Sequence, residues 1–364
     1  MHDQVFEVGK RNELMYINGM KGIACLFIMI SHFLGIYKYA QEFSPKFPIL
    51  DIILNSPISF LVNETYWLYM FFVVSGYLVA KSKIVSVKDF MFKLITRFLR
   101  FVFPILFSYL FIYLPVGFHS SETNNFFLCD WFQKSYTSQY QFIEVILSPV
   151  RVLIFGKCDL NSPYWCLKYM FFSSVIIYLC KMLYFFLYDN YYELSFSVFV
   201  IVTIMSYLIS PVIMACLAGM LVEFYNERKS NGLECFSFWG IVFALTIYIF
   251  PSATLLLIML FCILLICIPR VKFIDSVFST RVFQFFNKLS WGVYSFHWAV
   301  ICSVGALSII TFHRYGLYLA YVISFLVVLL VTMLISIIYH LTFERLISKI
   351  NAILLNNLKK SIYK

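Results

Sequence analysis

Apolar residues along this chain run in long blocks separated by short polar gaps, at 15–37, 65–82, 98–118, 164–187, 194–209, 211–226, 236–250, 252–269, 288–311 and 316–343. A bilayer core of about 30 Å takes roughly 20 apolar helical residues, so the pattern predicts an all-α, polytopic membrane helix bundle of about ten transmembrane helices. Several blocks are short for a span. Ser210-Pro211 breaks the stretch 194–226 and Pro251-Ser252 breaks 236–269, so each predicts a helical hairpin with a tight turn.

Lysine and arginine set the orientation, because positively charged loops stay cytoplasmic. With the N-terminus inside, the inner segments hold Lys10-Arg11, Lys81 to Arg100, Arg228-Lys229, Arg270 to Lys288 and Arg345 to Lys364. The outer loops hold only scattered cations such as Lys38, Lys46, Lys134, Arg151, Lys157 and Arg314. Both N- and C-termini are therefore expected in the cytoplasm. The outer segment of about 119–163 is polar and aromatic (Trp131, Tyr136, Tyr140) and too long for a plain connector, which makes it a candidate substrate-facing cap. No internal repeat is visible, and the chain reads as a single membrane domain over 1–364.

Composition sharpens this picture. Apolar residues make up 62% of the chain and charged ones 13%, with a mean hydropathy of +0.85, which excludes a soluble fold. The segment His2 to Glu13 carries both signs of charge and no small-residue cleavage site follows it, so the first block is expected to be retained as a helix. The net charge of +10 comes from cations lying between apolar runs, which implies membrane lipids as partners and no nucleic acid. Most cysteines sit singly inside apolar blocks without metal-ligand spacing, and no metal is expected. Cys129, Cys158 and Cys166 lie in or beside the outer segment and would allow a disulfide in an oxidising compartment.

Ionisable groups at membrane depth are costly, and function is the first explanation to weigh for them. Lys21 and His32 stand eleven residues apart in the first block. That spacing returns to within about 20° of the same helix face, with about 16 Å between them along the axis. A histidine there could take a proton from an alcohol, since its unperturbed pKa is near 6.5; its plain alternative is a hydrogen bond to a neighbouring helix. Lys93, Arg97 and Arg100 share a second face, where guanidinium forks suit phosphate oxygens and positive-inside anchoring is the plain alternative. Ser75 and Gly76 interrupt a bulky stretch and fit close helix packing.

In order along the chain, these pieces resemble the acyltransferase type 3 family of polytopic membrane proteins. Asn18-Gly19-Met20-Lys21-Gly22 with His32 is similar to the family's Asp-Gly-Leu-Arg-Gly element and the histidine eleven residues after its Arg. Phe71 to Tyr77 resembles Phe-Phe-x-x-Ser-Gly-Phe/Tyr, with Ser75 at the serine. Arg97, Arg100 and Pro104 resemble Arg-x-x-Arg followed by Pro. Trp165 and Leu167 match a Trp-x-Leu segment, Ser290, Tyr294 and His297 a Ser-Tyr-x-x-Tyr-x-x-His segment, and Glu344-Arg345 a closing Glu-Arg/Lys-Pro element. The departures are Asn18 for Asp, Lys21 for Arg, Met170 where many members carry Glu, and Leu346 for Pro. Lysine keeps the charge of arginine but loses its planar fork.

The resemblance implies O-acyl transfer, acetyl by family habit, from cytoplasmic acyl-CoA to a hydroxyl of a cell-surface or lipid-linked saccharide in a bacterial inner membrane. It implies Arg97 and Arg100 at the donor's phosphates, Lys21 along its path, and His32 as general base or transient acyl carrier. No acidic residue in the first block orients the His32 imidazole, so its partner is expected from another helix or a carbonyl. His297 and Glu344 carry structural readings as well, the first as a pin between helices, the second as a partner of Arg345 or a lysine. The rival functions are a transporter of a glycan or lipid-linked sugar, and an inactive relative.

Overall fold

A computed structural model describes residues 2–38, 52, 56–113, 141–228, 253–267, 272–350 and 352–353. Among them every regular element is a helix and no strand occurs. The principal helices are α1 (His2–Lys38), α2 (Glu64–Ala80), α3 (Val87–Tyr113), α4 (Phe142–Ile146), α5 (Ser148–Val150), α6 (Trp165–Met205), α7 (Pro211–Arg228), α8 (Ala253–Cys267), α9 (Lys272–Phe278), α10 (Arg281–Val300), α11 (Ala306–Phe312) and α12 (Leu317–Tyr339).

Among the described residues five stretches are long and apolar enough to cross a membrane: Met15–Gly35, Val87–Tyr113, Ser162–Phe186, Arg281–Tyr315 and Tyr318–Ile350. Leu194–Leu208, Pro211–Asn226 and Ala253–Cys267 are apolar but shorter, and the block at 236–250 lies outside the described residues. Helix α3 begins eleven residues before its apolar block, because Ser86 and Asp89 cap each other's ends (Asp89 N–H to Ser86 Oγ 3.1 Å) ahead of a run of good helix formers. The gap expected between 187 and 194 is no break: α6 continues for 41 residues, since nothing from Tyr188 to Glu193 is a proline or glycine. The break at Ser210-Pro211 is present, with a 3-10 turn over Ser206–Leu208 and Pro211 opening α7. The outer segment is not one loop: residues 119–140 lie outside the described ones, and its later part folds into α4, α5 and a π-turn over Arg151–Phe155.

Two crossings set the bundle. Gly76 of α2 and Gly219 of α7 lie against one another's backbones, where an added Cβ would come within 1.8 Å of the Cys216 carbonyl oxygen and 2.0 Å of the Val73 carbonyl oxygen. In lipid no water drives apolar helix faces together, so such small-residue contacts hold them by close packing. Helices α1 and α10 run parallel, Gly22 against the Asn287 backbone at one end and His32 against His297 at the other. Met29, Phe71, Tyr77, Leu217 and Tyr294 fill the core between these pairs.

Gly219→Val should therefore cost at least about 1–3 kcal/mol, because neither backbone can yield. Gly35 has open space around its missing side chain, so Gly35→Ala should be neutral or stabilising. Thermal unfolding in detergent, with the two variants compared side by side, checks both signs.

Candidate functional site

One end of the bundle holds a cation pocket. Its cavity of about 230 Å³ is lined by Lys21 of α1, Phe71 and Ser75 of α2, Lys93, Thr96, Arg97 and Arg100 of α3, Met170 and Tyr178 of α6, and Trp291 of α10. The face shared by Lys93, Arg97 and Arg100 along α3 thus turns into the bundle, where the stripe of α1 brings Lys21 to meet it.

Arg97 is held on three sides. Its Nε donates to Ser174 Oγ at 3.0 Å, its Nη2 donates to Ser75 Oγ at 3.1 Å, and its plane lies over the Phe101 ring at 4.7 Å. Ser174 in turn donates to the Met170 carbonyl at 2.7 Å, which leaves its lone pairs free to accept from the arginine. Among the described residues no carboxylate pairs with Arg97, so the guanidinium is fixed in place with donors to spare. Glu344 lies within electrostatic reach of Lys21 and Arg100, and among the described residues it pairs directly with His340 one turn back.

The other end of α1 carries an imidazole pair. His32 Nδ1 and His297 Nε2 are 2.8 Å apart, with the rings nearly parallel at 12°. His297 is fully buried and its Nδ1 faces the Val293 carbonyl at 2.9 Å. A carbonyl can only accept, so His297 must carry its proton on Nδ1 and, when neutral, offers a lone pair at Nε2. His32 then donates through Nδ1, which leaves its Nε2 as the free base. That nitrogen stands 3.4 Å from the half-exposed Glu64 carboxylate at the first turn of α2, which it pairs with once the ring is protonated. The partners expected from another helix are thus His297 and Glu64.

Packed side chains separate the two ends. Cys25, Met29, Phe71 and Tyr294 are all buried. Phe71 and Trp291 line the pocket, and each ring meets Tyr294, with centroids at 6.2 and 6.1 Å; Tyr294 meets His297 at 6.3 Å. The Tyr294 hydroxyl donates to the Pro163 carbonyl at 2.7 Å and lies 3.1 Å from Cys166 Sγ.

The residues singled out from sequence therefore form two groups, Lys21, Ser75, Arg97 and Arg100 at the pocket and His32 with His297 beyond it, with Tyr294 between. Trp165 stands apart, 42% exposed at the start of α6. Glu64, Ser174 and Trp291 were not picked out; Glu64 merely precedes an apolar block, and nothing in its spacing joins it to His32. Cys158 and Cys166 are free thiols, and Cys129 lies outside the described residues. Burial first, and the Asp159 charge second, push the Cys158 thiol up to about 11, which keeps it protonated and unreactive at neutral pH. Among the described residues no group of three histidine, cysteine, aspartate or glutamate side chains could hold a metal ion.

Comparison with known families matches residues 14–341 to a family described as an acyltransferase domain, acyltransferase type 3. No curated protein and no solved structure matches the chain.

The tautomer assignment is open to direct measurement. Nitrogen-15 histidine spectra of the reconstituted protein should show His32 protonated on Nδ1, and His297→Phe should remove that preference. A wild-type His32 carrying its proton on Nε2 alone would contradict the chain of donors derived above.

Proposed function

The chain belongs to the acyltransferase type 3 family of membrane acyltransferases, and on that premise we propose that it moves an acyl group, acetyl by family habit, from acyl-CoA to a saccharide hydroxyl. The donor is taken up on the cytoplasmic side, where both termini of a bundle of about ten spans would lie. The acceptor, a cell-surface or lipid-linked saccharide, arrives from the other face of a bacterial inner membrane. The observation that carries this reading is Arg97: a partly buried guanidinium held by two hydroxyls and an aromatic face, beside Lys21 and Arg100 at the pocket.

A cation cluster of this kind is stabilised by an anion, and phosphate oxygens match the fork geometry of the two arginines. Arg97 and Arg100 would hold the phosphates of acyl-CoA. Lys21 stands where the narrower arm leaves the pocket toward His32, about 16 Å along α1. Phe71 and Tyr294 block that route and must swing aside for the thioester to pass. Met170 lines the pocket where many family members carry a glutamate, so this chain keeps its cations without that countercharge.

At the far end His32 Nε2 takes the proton of the acceptor hydroxyl as its oxygen attacks the thioester carbonyl. The carbon–oxygen bond forms, the carbon–sulfur bond breaks, and the proton returns to the departing thiolate. His297 holds the imidazole in the tautomer this step requires, and Glu64 stabilises the imidazolium that forms. The buried side chains between the two ends give a transporter reading no support.

His32→Ala should abolish acyl transfer while the protein still inserts and unfolds at its usual temperature. Arg97→Ala should raise the acyl-CoA requirement roughly 10- to 100-fold, the loss of one or two bonds to a charged group. Assays of radiolabelled acetyl transfer in proteoliposomes, with donor titrated against each variant, check both; an unchanged donor dependence would return Arg97 to a packing role.

A further inference from the structure

Helices α4 and α5 and the π-turn that follows form one helical run over 142–155 that crosses nothing. At 14 residues it extends about 21 Å, short of a bilayer core. Phe142 packs on Tyr113, the last residue of α3, at 5.9 Å, and the loop that follows the run meets Tyr294 through Pro163. These contacts put the run at the histidine end of the bundle.

Its three sides differ sharply. Val145, Val152 and Leu153 are fully buried on one side. On the opposite side Ile143, Leu147, Val150 and Ile154 are exposed by 56, 50, 42 and 37%, with Phe142 and Phe155 exposed at the two ends. Spacings of four, three and four residues put those four aliphatic side chains within about 60° of one another. Glu144 and Arg151 lie about 90° from that stripe. Their charges meet at 2.7 Å, and Arg151 also reaches Asp159 at 3.7 Å. A bare aliphatic stripe with a charged edge at right angles has the build of a helix lying in a membrane interface.

We propose that residues 142–155 are an interfacial helix sunk into the leaflet at the histidine end, with the stripe against lipid acyl chains and the Glu144–Arg151–Asp159 edge among the headgroups. Continuity with the lipid-facing surface commits the stripe to lipid. Its neighbours are Tyr113 at the end of α3 and Trp165 at the start of α6, 41 and 42% exposed, aromatic residues at the level where spans leave the hydrocarbon. Below Trp165 the outward side of α6 carries Phe172, Leu179 and Leu183, exposed along the same flank. The segment expected from sequence as a substrate-facing cap is then, over these residues, part of the membrane-embedded surface. An acceptor approaching from this side meets lipid first.

The full-length protein in phosphatidylcholine vesicles whose acyl chains carry a photoactivatable carbene precursor provides the test. Ile143, Leu147, Val150 and Ile154 should be labelled to the same extent as Leu179 and Leu183, with Asp159 unlabelled. Leu147→Glu with Val150→Glu should abolish labelling of the run and leave that of Leu179 unchanged. Absence of labelling from 142–155 in the wild type, or its modification by a water-borne carbene reagent instead, would overturn the proposal.

Discussion

A guanidinium drawn out of water needs compensation, and the interior of this bundle offers Arg97 two hydroxyls and the face of a phenyl ring. Removing an ion from water costs several kcal/mol that neutral partners only partly return. Much else in the structure follows from that constraint. Ser75, one residue before the Gly76 contact that holds α2 to α7, turns its hydroxyl to the arginine on α3. Ser174 must spend its proton on the Met170 carbonyl so that its lone pairs can accept. Thr96 and Tyr178 keep the cavity wall polar, and the space left over stays at about 230 Å³ instead of collapsing. Four cations, Lys21, Lys93, Arg97 and Arg100, line this pocket, which suits the anionic donor proposed for it.

The far end of α1 obeys a different rule, the one-proton arithmetic of imidazoles. A single carbonyl, that of Val293, determines which nitrogen of His297 is protonated, and through it which nitrogen of His32 is free. Direction is thus imposed on the pair by backbone, which cannot titrate. The parallel run of α1 beside α10 lets one helix pair position Lys21 and His32 together, since the glycine contact near Gly22 locks the register that brings His32 to His297.

Periodicity made the α1 stripe, the α3 cation face and five long spans readable in advance, because each is a local repeat that the helix turns into a surface. Contacts across long sequence separations were not readable. Glu64 and His32 stand on different helices, 32 positions apart, and no helical spacing encodes their approach. The partnership of His32 with His297 spans 265 positions, and the sequence left a packing histidine as the equal alternative. The unbroken α6 was missed because polarity was taken for a break, although polar residues without proline or glycine continue a helix readily. The run over 142–155 was missed because its apolar stripe is interrupted by Glu144, Ser148 and Arg151, which dilute any simple count of apolar residues.

The packed layer of Cys25, Met29, Phe71 and Tyr294 has a bioenergetic meaning as well. Below it lies a water-accessible nest of cations, above it two groups able to carry protons, and a continuous file of water between them would short-circuit the proton gradient of the membrane. Those four side chains, exposed by 2, 1, 7 and 3%, are packed between the two ends of α1 and narrow any such path. Ion tightness and group transfer therefore make opposite demands on the same few ångströms.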